Sequence, residues 1–261
     1  MTALQRPGGE LATRPIHFFW VVDCSGSMYG EKIGIVNNTI QECIPEMRSA
    51  ADNNSNAQLL IRALQFSSGA SWITSSPVPV EDYGWEDMDA NGLTELGKAF
   101  DLLAAQLSIP PMPERALPPV IVLLSDGQPT DDYKKSMDRL KKLPWFRKAV
   151  KIAISIGQDA DDEVLIEFTG NKELVLQANN ATALAKMIKW ASTTASMVSA
   201  PSSKPMNSVS TEATAATAPG TSAVASIPAD DPFAPANNGA PLVLDMSNIP
   251  NPDDFDEGAV W

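Results

Sequence analysis

Residues 17–28 read HFFWVVDCSGSM, a continuous run of aromatic and aliphatic side chains that ends in a turn of Asp, Cys, Ser and Gly. Residues 120–127, VIVLLSDG, repeat this arrangement further along the chain. Neither run alternates polar with apolar residues, which is typical of strands buried on both faces of a parallel sheet. The two segments therefore predict two central strands, each followed by a polar loop.

Around these strands the chain alternates apolar runs with segments of helical periodicity. This alternation predicts an α/β domain with a mostly parallel central sheet flanked by helices on both faces. We expect strands near His17–Asp23, Gln58–Phe66, Val120–Leu124, Lys151–Ile156 and Glu173–Gln177, with an edge pair near Ser71–Val80. We expect helices near Glu31–Ser49, Glu95–Gln106, Asp131–Leu140, Asp161–Phe168 and Ala181–Thr194.

The composition of the 261-residue chain changes near residue 196. Residues 1–13 are polar and broken by Gly and Pro, and we expect them to form an N-terminal arm to a domain over 14–195. From 196 to 261 the chain is first rich in Ser, Thr, Ala and Pro and then acidic, with one basic and eight acidic residues. Such a segment has too few large apolar side chains to offset its chain entropy, so we expect a disordered tail.

Charge and cysteine content narrow the classes of function. The net charge of −13 repels phosphate backbones and anionic lipids, which argues against a nucleic-acid or membrane partner. The only cysteines, Cys24 and Cys43, form no CxxC pair and favour a reducing, cytoplasmic compartment. The apolar run Phe18–Val22 is too short for a signal sequence or a membrane span.

The loops after the two central strands carry the candidate chemistry. The carboxyl ends of parallel strands open onto the ligand crevice of an α/β sheet, so Asp23, Ser25 and Ser27 should meet Asp126 there. Carboxylate and hydroxyl oxygens suit Mg²⁺, with Mn²⁺ or Ca²⁺ as alternatives. Helix capping by Asp and Ser is the alternative explanation of each turn taken alone, and it is our interpretation of Asp131-Asp132.

Three separated motifs resemble the metal-ion-dependent adhesion site of von Willebrand factor A domains, which have a Rossmann-like fold. They are Asp23-x-Ser25-x-Ser27, Thr94 in NGLTELG, and Asp126 in LLSDGQPTD. The resemblance covers about residues 14–195. Within the family, the DxSGSM and SDGxPTD motifs look most like the bacterial cytosolic TerY-like branch, which is linked to tellurite resistance and stress operons.

The resemblance implies a role for each site residue. Ser25 and Ser27 are expected to bind the metal directly, Thr94 in the ligand-bound state, and Asp23 and Asp126 directly or through water. A carboxylate from a partner protein would complete the metal's coordination. The implied function is Mg²⁺-dependent protein–protein interaction, in a stress-response or phospho-signalling system with a Ser/Thr kinase and a PP2C-type phosphatase as candidate partners. The alternative is an accessory subunit of an AAA+ ATPase or metallochelatase complex.

The sequence favours a binding module over an enzyme. His17, the only histidine, should lie at the far end of the first strand from Asp23, so no histidine-based nucleophile is expected. A metal-dependent phosphatase would carry a second Asp where Ser25 stands. Three aromatic residues among acidic neighbours are candidate partner contacts: Trp85 in the loop before Thr94, and Phe255 and Trp261 in the tail.

Overall fold

The main sheet is the centre of the domain. The structure, a computed structural model, describes residues 14–52, 57–157, 161–180 and 182–189, and the dipeptides 224–225 and 242–243. Seven strands in this part of the chain form one sheet. They are β1 (Arg14–Asp23), β2 (Ala57–Ser67), β3 (Gly69–Trp72), β4 (Val78–Pro79), β5 (Val120–Ser125), β6 (Val150–Ile156) and β7 (Val175–Ala178).

The sheet is mostly parallel, in the order β3-β2-β1-β5-β6-β7. β1 pairs in parallel with both β2 and β5. β6 pairs in parallel with β5 on one side and with β7 on the other. The two short strands β3 and β4 pair antiparallel with β2 at one edge. The ends of β1 and β5 are therefore neighbours in the middle of the sheet, where a crevice between loops is expected.

Helices cover both faces of the sheet. They are α1 (Glu31–Asp52), α2 (Leu96–Gln106), α3 (Lys134–Lys142), α4 (Pro144–Lys148), α5 (Asp162–Thr169) and α6 (182–189). Single 3₁₀ turns lie at Gly26–Met28 and Lys172–Leu174. In the part of the chain that is described, no helix is both long enough and apolar enough to cross a membrane.

β1 divides the core into two layers, because its successive side chains point to opposite faces. Phe18, Trp20 and Val22 pack in one apolar cluster with residues of α1 and α6. Phe19 and Val21 pack in the other with residues of α2, α3, α4 and α5. All five side chains are fully buried. This two-sided burial explains why the strand has no polar alternation, and it confirms the predicted α/β fold.

The elements differ from the predictions mainly at their ends. β1 and β2 are longer than predicted, and α3 begins at Lys134 instead of Asp131. The short helix α4 was not predicted, although Pro144 at its first position is a common helix start. The predicted arm over 1–13 lies outside the described residues.

The predicted disordered tail over 196–261 also lies outside the described residues, except at four positions. There, β8 (Val224–Ala225) and β9 (Leu242–Val243) pair antiparallel, where we expected no strands.

Candidate metal centre

Three loops meet at the carboxyl edge of the sheet. They follow β1, precede α2 and follow β5. Backbone hydrogen bonds join the first two, from Gly26 N to Gly92 O at 3.1 Å and from Asn91 N to Cys24 O at 2.8 Å. The second and third are joined at Thr94, whose carbonyl accepts from Thr130 N at 2.9 Å. The loops thus hold one another independently of any ligand.

Asp23 is a buried residue at the base of this centre. Its Oδ1 accepts from the backbone N–H of Ser25 at 2.8 Å, and its Oδ2 accepts from the Ser125 hydroxyl at 2.7 Å. Burial raises the pKa of the Asp23 carboxyl, while the hydrogen bonds from Ser125 and Ser25 act in the opposite direction. A cation beside this carboxylate would favour its charged form.

Ser25, Ser27 and Asp126 form a connected set of oxygens. The hydroxyls of Ser25 and Ser27 are 3.0 Å apart, and Ser27 Oγ donates to Asp126 Oδ1 at 2.7 Å. Ser25 and Asp126 are buried, whereas Ser27 is exposed. The set therefore reaches solvent at Ser27, on the side from which an external ligand would approach.

Thr94 completes the group from the second loop. A Cβ atom placed on Gly127 would lie 3.6 Å from Thr94 Oγ1 and 3.6 Å from Ser27 Oγ. The two hydroxyls therefore border the same small space beside Gly127, and glycine leaves that space open. Four of the five predicted ligands, Ser25, Ser27, Thr94 and Asp126, belong to the three loops that meet at this edge, and the fifth, Asp23, is the last residue of β1.

The donor set fits a hard divalent cation. It consists of hydroxyl and carboxylate oxygens, which suit Mg²⁺, Mn²⁺ and Ca²⁺. Throughout the described ranges, no group of three or more His, Cys, Asp or Glu side chains is placed to hold a metal, so a site here would be rich in neutral hydroxyls. The hydroxyls of such a site would bring no charge to the cation, which leaves Asp23 and Asp126 as its two negatively charged ligands.

Several contributing residues were not predicted. Ser125 donates to Asp23, and Lys32 Nζ donates to Asp126 Oδ2 at 2.7 Å. The carboxylate of Asp131 accepts from Gly97 N at 3.0 Å, so it caps the start of α2. Our interpretation of Asp131-Asp132 as the cap of the following helix is therefore wrong, since α3 begins after Tyr133 without a side-chain cap. A signal for Lys32 did exist, because a cation in a first helical turn is unfavourable unless an anion compensates it.

The predicted partner contacts have different surroundings. Trp85 is partly buried, packs against the core and donates its indole N–H to Asn37 Oδ1 at 3.1 Å. It therefore has structural contacts, and its role in binding a partner stays a prediction. Phe255 and Trp261 lie outside the described residues. Cys24 is buried, and burial raises the pKa of its thiol to about 12, so it is an inert thiol at neutral pH.

Solved structures share this fold. A von Willebrand factor type A protein from Catenulispora acidiphila superposes with a TM-score of 0.51 at 14% identity, covering 70% of this chain and 43% of that one. The mussel byssus proximal thread matrix protein 1, in a form whose adhesion motif is occupied by zinc, superposes with a TM-score of 0.52 at 16% identity. The match covers 72% of this chain and 47% of that one. The open form of the pilus adhesin SpaC from Lactobacillus rhamnosus GG superposes with a TM-score of 0.53 at 14% identity. The match covers 67% of this chain and 29% of that one.

The matched region spans less than half of each of these three proteins. No curated protein matches the chain. The family model of the von Willebrand factor type A domain matches residues 19–190, which include all three loops of the candidate centre. The chain belongs to the von Willebrand factor type A domain family.

Proposed function

We propose that this protein is a Mg²⁺-dependent protein-interaction module, in which a carboxylate of the partner completes the coordination of the metal. The observation that carries the proposal is the meeting of three hydroxyls and two carboxylates at the carboxyl edge of the sheet. Ser25, Ser27 and Thr94 supply neutral oxygens, and Asp23 and Asp126 supply charge directly or through water. The bound cation would supply Lewis acidity for a partner's carboxylate. Mn²⁺ and Ca²⁺ are the alternative ions.

The surroundings of the centre support a protein as the partner. Tyr29 is 79% exposed and Leu93 is 55% exposed, although both are large apolar residues. Tyr29 directly follows the turn that carries Ser27, and Leu93 directly precedes Thr94. Exposed aromatic and aliphatic side chains around a polar centre are typical of protein interfaces. We propose that the partner presents a carboxylate flanked by apolar side chains.

Two sequence motifs and the state of the cysteines support a pathway for this protein. The DxSGSM and SDGxPTD motifs support a TerY-like branch, with a Ser/Thr kinase and a PP2C-type phosphatase as partners in a stress response. Both cysteines are free and buried, which supports a reducing, cytoplasmic location. The tail residues Phe255 and Trp261 are candidate additional contacts.

A binding role is also favoured over catalysis. The chain's single histidine, His17, is buried in β1 and precedes Asp23 by about 20 Å of extended strand. It is too far from the hydroxyls of the centre to activate one of them as a nucleophile. We therefore propose that the protein is not an enzyme.

Affinity capture from native cells tests this function. The tagged protein is used as bait in Mg²⁺, in EDTA, and as the Asp23→Ala variant in Mg²⁺, with captured proteins identified by mass spectrometry. We expect a partner only with the wild-type bait in Mg²⁺. Asp138→Ala, which removes an exposed carboxylate from α3, is the matched control and should capture the same partner.

The identity of the captured partner separates the pathways. A kinase or phosphatase supports the signalling form of the proposal, whereas an ATPase ring supports the accessory-subunit alternative. A partner captured equally under all conditions would contradict a metal-dependent interaction. Circular dichroism of the Asp23→Ala variant establishes that loss of capture is not loss of folding.

A further inference from the structure

Lys32 places a positive charge against the candidate metal centre. It lies in the first turn of α1, and its Nζ is 2.7 Å from Asp126 Oδ2. The Lys32 side chain is 18% exposed and that of Asp126 is fully buried. A Cβ atom on Gly157, just after β6, would lie 3.5 Å from Nζ, so the ammonium is packed against the carboxyl edge of the sheet.

The two oxygens of Asp126 face different neighbours. Oδ1 accepts from the Ser27 hydroxyl and belongs to the oxygen set of the centre. Oδ2 accepts from Lys32 on its other side. The ammonium therefore neutralises Asp126 without occupying the space that Ser27 and Thr94 border. The ion pair acts on the charge of the centre and leaves its oxygen donors in place.

Counting formal charges shows the consequence. With Asp23 and Asp126 ionised, the centre alone carries two negative charges, which a divalent cation would cancel. Lys32 reduces the negative charge to one, so the same cation leaves the centre with one positive charge. A partner carboxylate then brings the total to neutrality. Without Lys32, that carboxylate would bring a net negative charge into a partly buried site, which is unfavourable.

We propose that Lys32 sets the specificity of this centre by weakening the binding of the free cation and strengthening the binding of a carboxylate to the cation-loaded centre. The inference rests on the proposed function, since it assumes that a divalent cation binds there. Lys32 thus acts through Asp126 and through its own charge. If the ion pair had only a structural role, it would change neither the affinity for the cation nor the affinity of the loaded centre for a carboxylate.

The first test measures metal affinity with Mn²⁺ alone. The dissociation constant is determined by electron paramagnetic resonance for the full chain and for Lys32→Met and Lys32→Gln. We expect about tenfold tighter Mn²⁺ binding in both variants, because each removes a unit positive charge beside a metal ligand. Lys32→Gln keeps a hydrogen-bond donor for Asp126, so it serves if Lys32→Met does not fold.

Two controls separate charge from structure. Lys32→Arg keeps the charge and should keep the wild-type dissociation constant. Lys172→Met removes an exposed charge just before β7, at the opposite edge of the sheet, and should also leave it unchanged. Thermal unfolding of each variant without metal confirms that the variants compared are folded.

The second test measures coupling to a carboxylate, with acetate as the probe. Mn²⁺ affinity is compared in acetate and in chloride at equal ionic strength. Acetate should tighten Mn²⁺ binding in the wild-type protein more than in Lys32→Gln. Unchanged Mn²⁺ affinity and equal acetate coupling in folded Lys32 variants would overturn this inference alone. Absence of Mn²⁺ binding in the wild-type protein and every variant would overturn the proposed function as well.

Discussion

His17 is a buried histidine in the first strand of the sheet. It is 4% exposed, and among the described residues no group forms a hydrogen bond with either ring nitrogen. Its ring stacks on that of Phe19 with centroids 5.8 Å apart. Burial lowers the pKa of His17 to about 4, so the imidazole is neutral in the folded protein at neutral pH. A neutral ring in an apolar layer fits a packing role.

The pKa of His17 predicts an acid-sensitive fold. Between pH 6.5 and about 4, the unfolded chain binds a proton at His17 that the folded protein does not. As the pH is lowered from 6.5 to about 4, the free energy of unfolding should therefore fall by about 3 kcal/mol because of His17. Below pH 4, His17 should cause no further change. Urea denaturation of the wild-type protein and His17→Phe across this range checks it. Parallel stability profiles of the two proteins would contradict the assignment.

The residues of the centre differ in how far sequence alone could predict them. Asp23, Ser25 and Ser27 lie on one turn after an apolar strand, so local pattern was enough to group them. Adding Thr94 and Asp126 needed the resemblance to a known family, because no local pattern relates loops that are distant in sequence. Lys32 was missed because its partner, Asp126, is adjacent only in the folded protein.

At the scale of elements, the same distinction explains which helix and strand ends were predicted. Apolar periodicity predicted the strands and most helices, because burial determines both. The start of α3 was misplaced because Asp131 caps α2, a contact between elements that hydrophobic patterning does not encode. α4 was missed because its apolar segment, Trp145 and Phe146, is only two residues long and therefore shows no helical periodicity.

Two helical glycines have opposite expected effects when replaced by alanine. A Cβ atom placed on Gly34 in α1 would meet no described atom within 4 Å beyond the neighbouring helix backbone, so Gly34→Ala should stabilise the fold by about 0.5–1 kcal/mol through helix propensity. At Gly97 in α2, a Cβ would lie 2.7 Å from Asp131 Oδ2 and 3.0 Å from Tyr133 Cα. Gly97→Ala should therefore destabilise by about 1–3 kcal/mol.

Urea denaturation of both variants measures this pair. Gly34→Ala is the control for Gly97→Ala, because the chemical change is the same and only the surroundings differ. At Gly97, α2 packs closely against the loop that follows β5. Gly97→Ala should therefore disturb the position of Thr94 and weaken Mn²⁺ binding. A stabilised Gly97→Ala variant would show that the packing of Asp131 against α2 is not as described.

At the scale of the whole molecule, the loops form the candidate metal centre, whereas the buried sheet provides most of the stability of the fold. The two apolar layers on β1 bury the strand completely, and the loops at its carboxyl end are held by backbone hydrogen bonds between them. A ligand at this edge can therefore bind a preformed arrangement. Its binding energy adds to the free energy of unfolding, because the unfolded chain does not assemble the three loops.

Bound Mg²⁺ should therefore stabilise the folded protein. Mg²⁺ at about a hundredfold excess over its dissociation constant should raise the free energy of unfolding by about 2.7 kcal/mol. For a domain of this size, that corresponds to an increase in Tm of about 5–10 °C relative to EDTA. Differential scanning calorimetry of the wild-type protein and a Ser25→Ala, Ser27→Ala double variant measures it. The double variant should keep its fold and lose the Mg²⁺ response, since it lacks the Ser27 hydroxyl that donates to Asp126 and the Ser25 hydroxyl beside it. An equal response in both proteins would place the stabilising cation elsewhere.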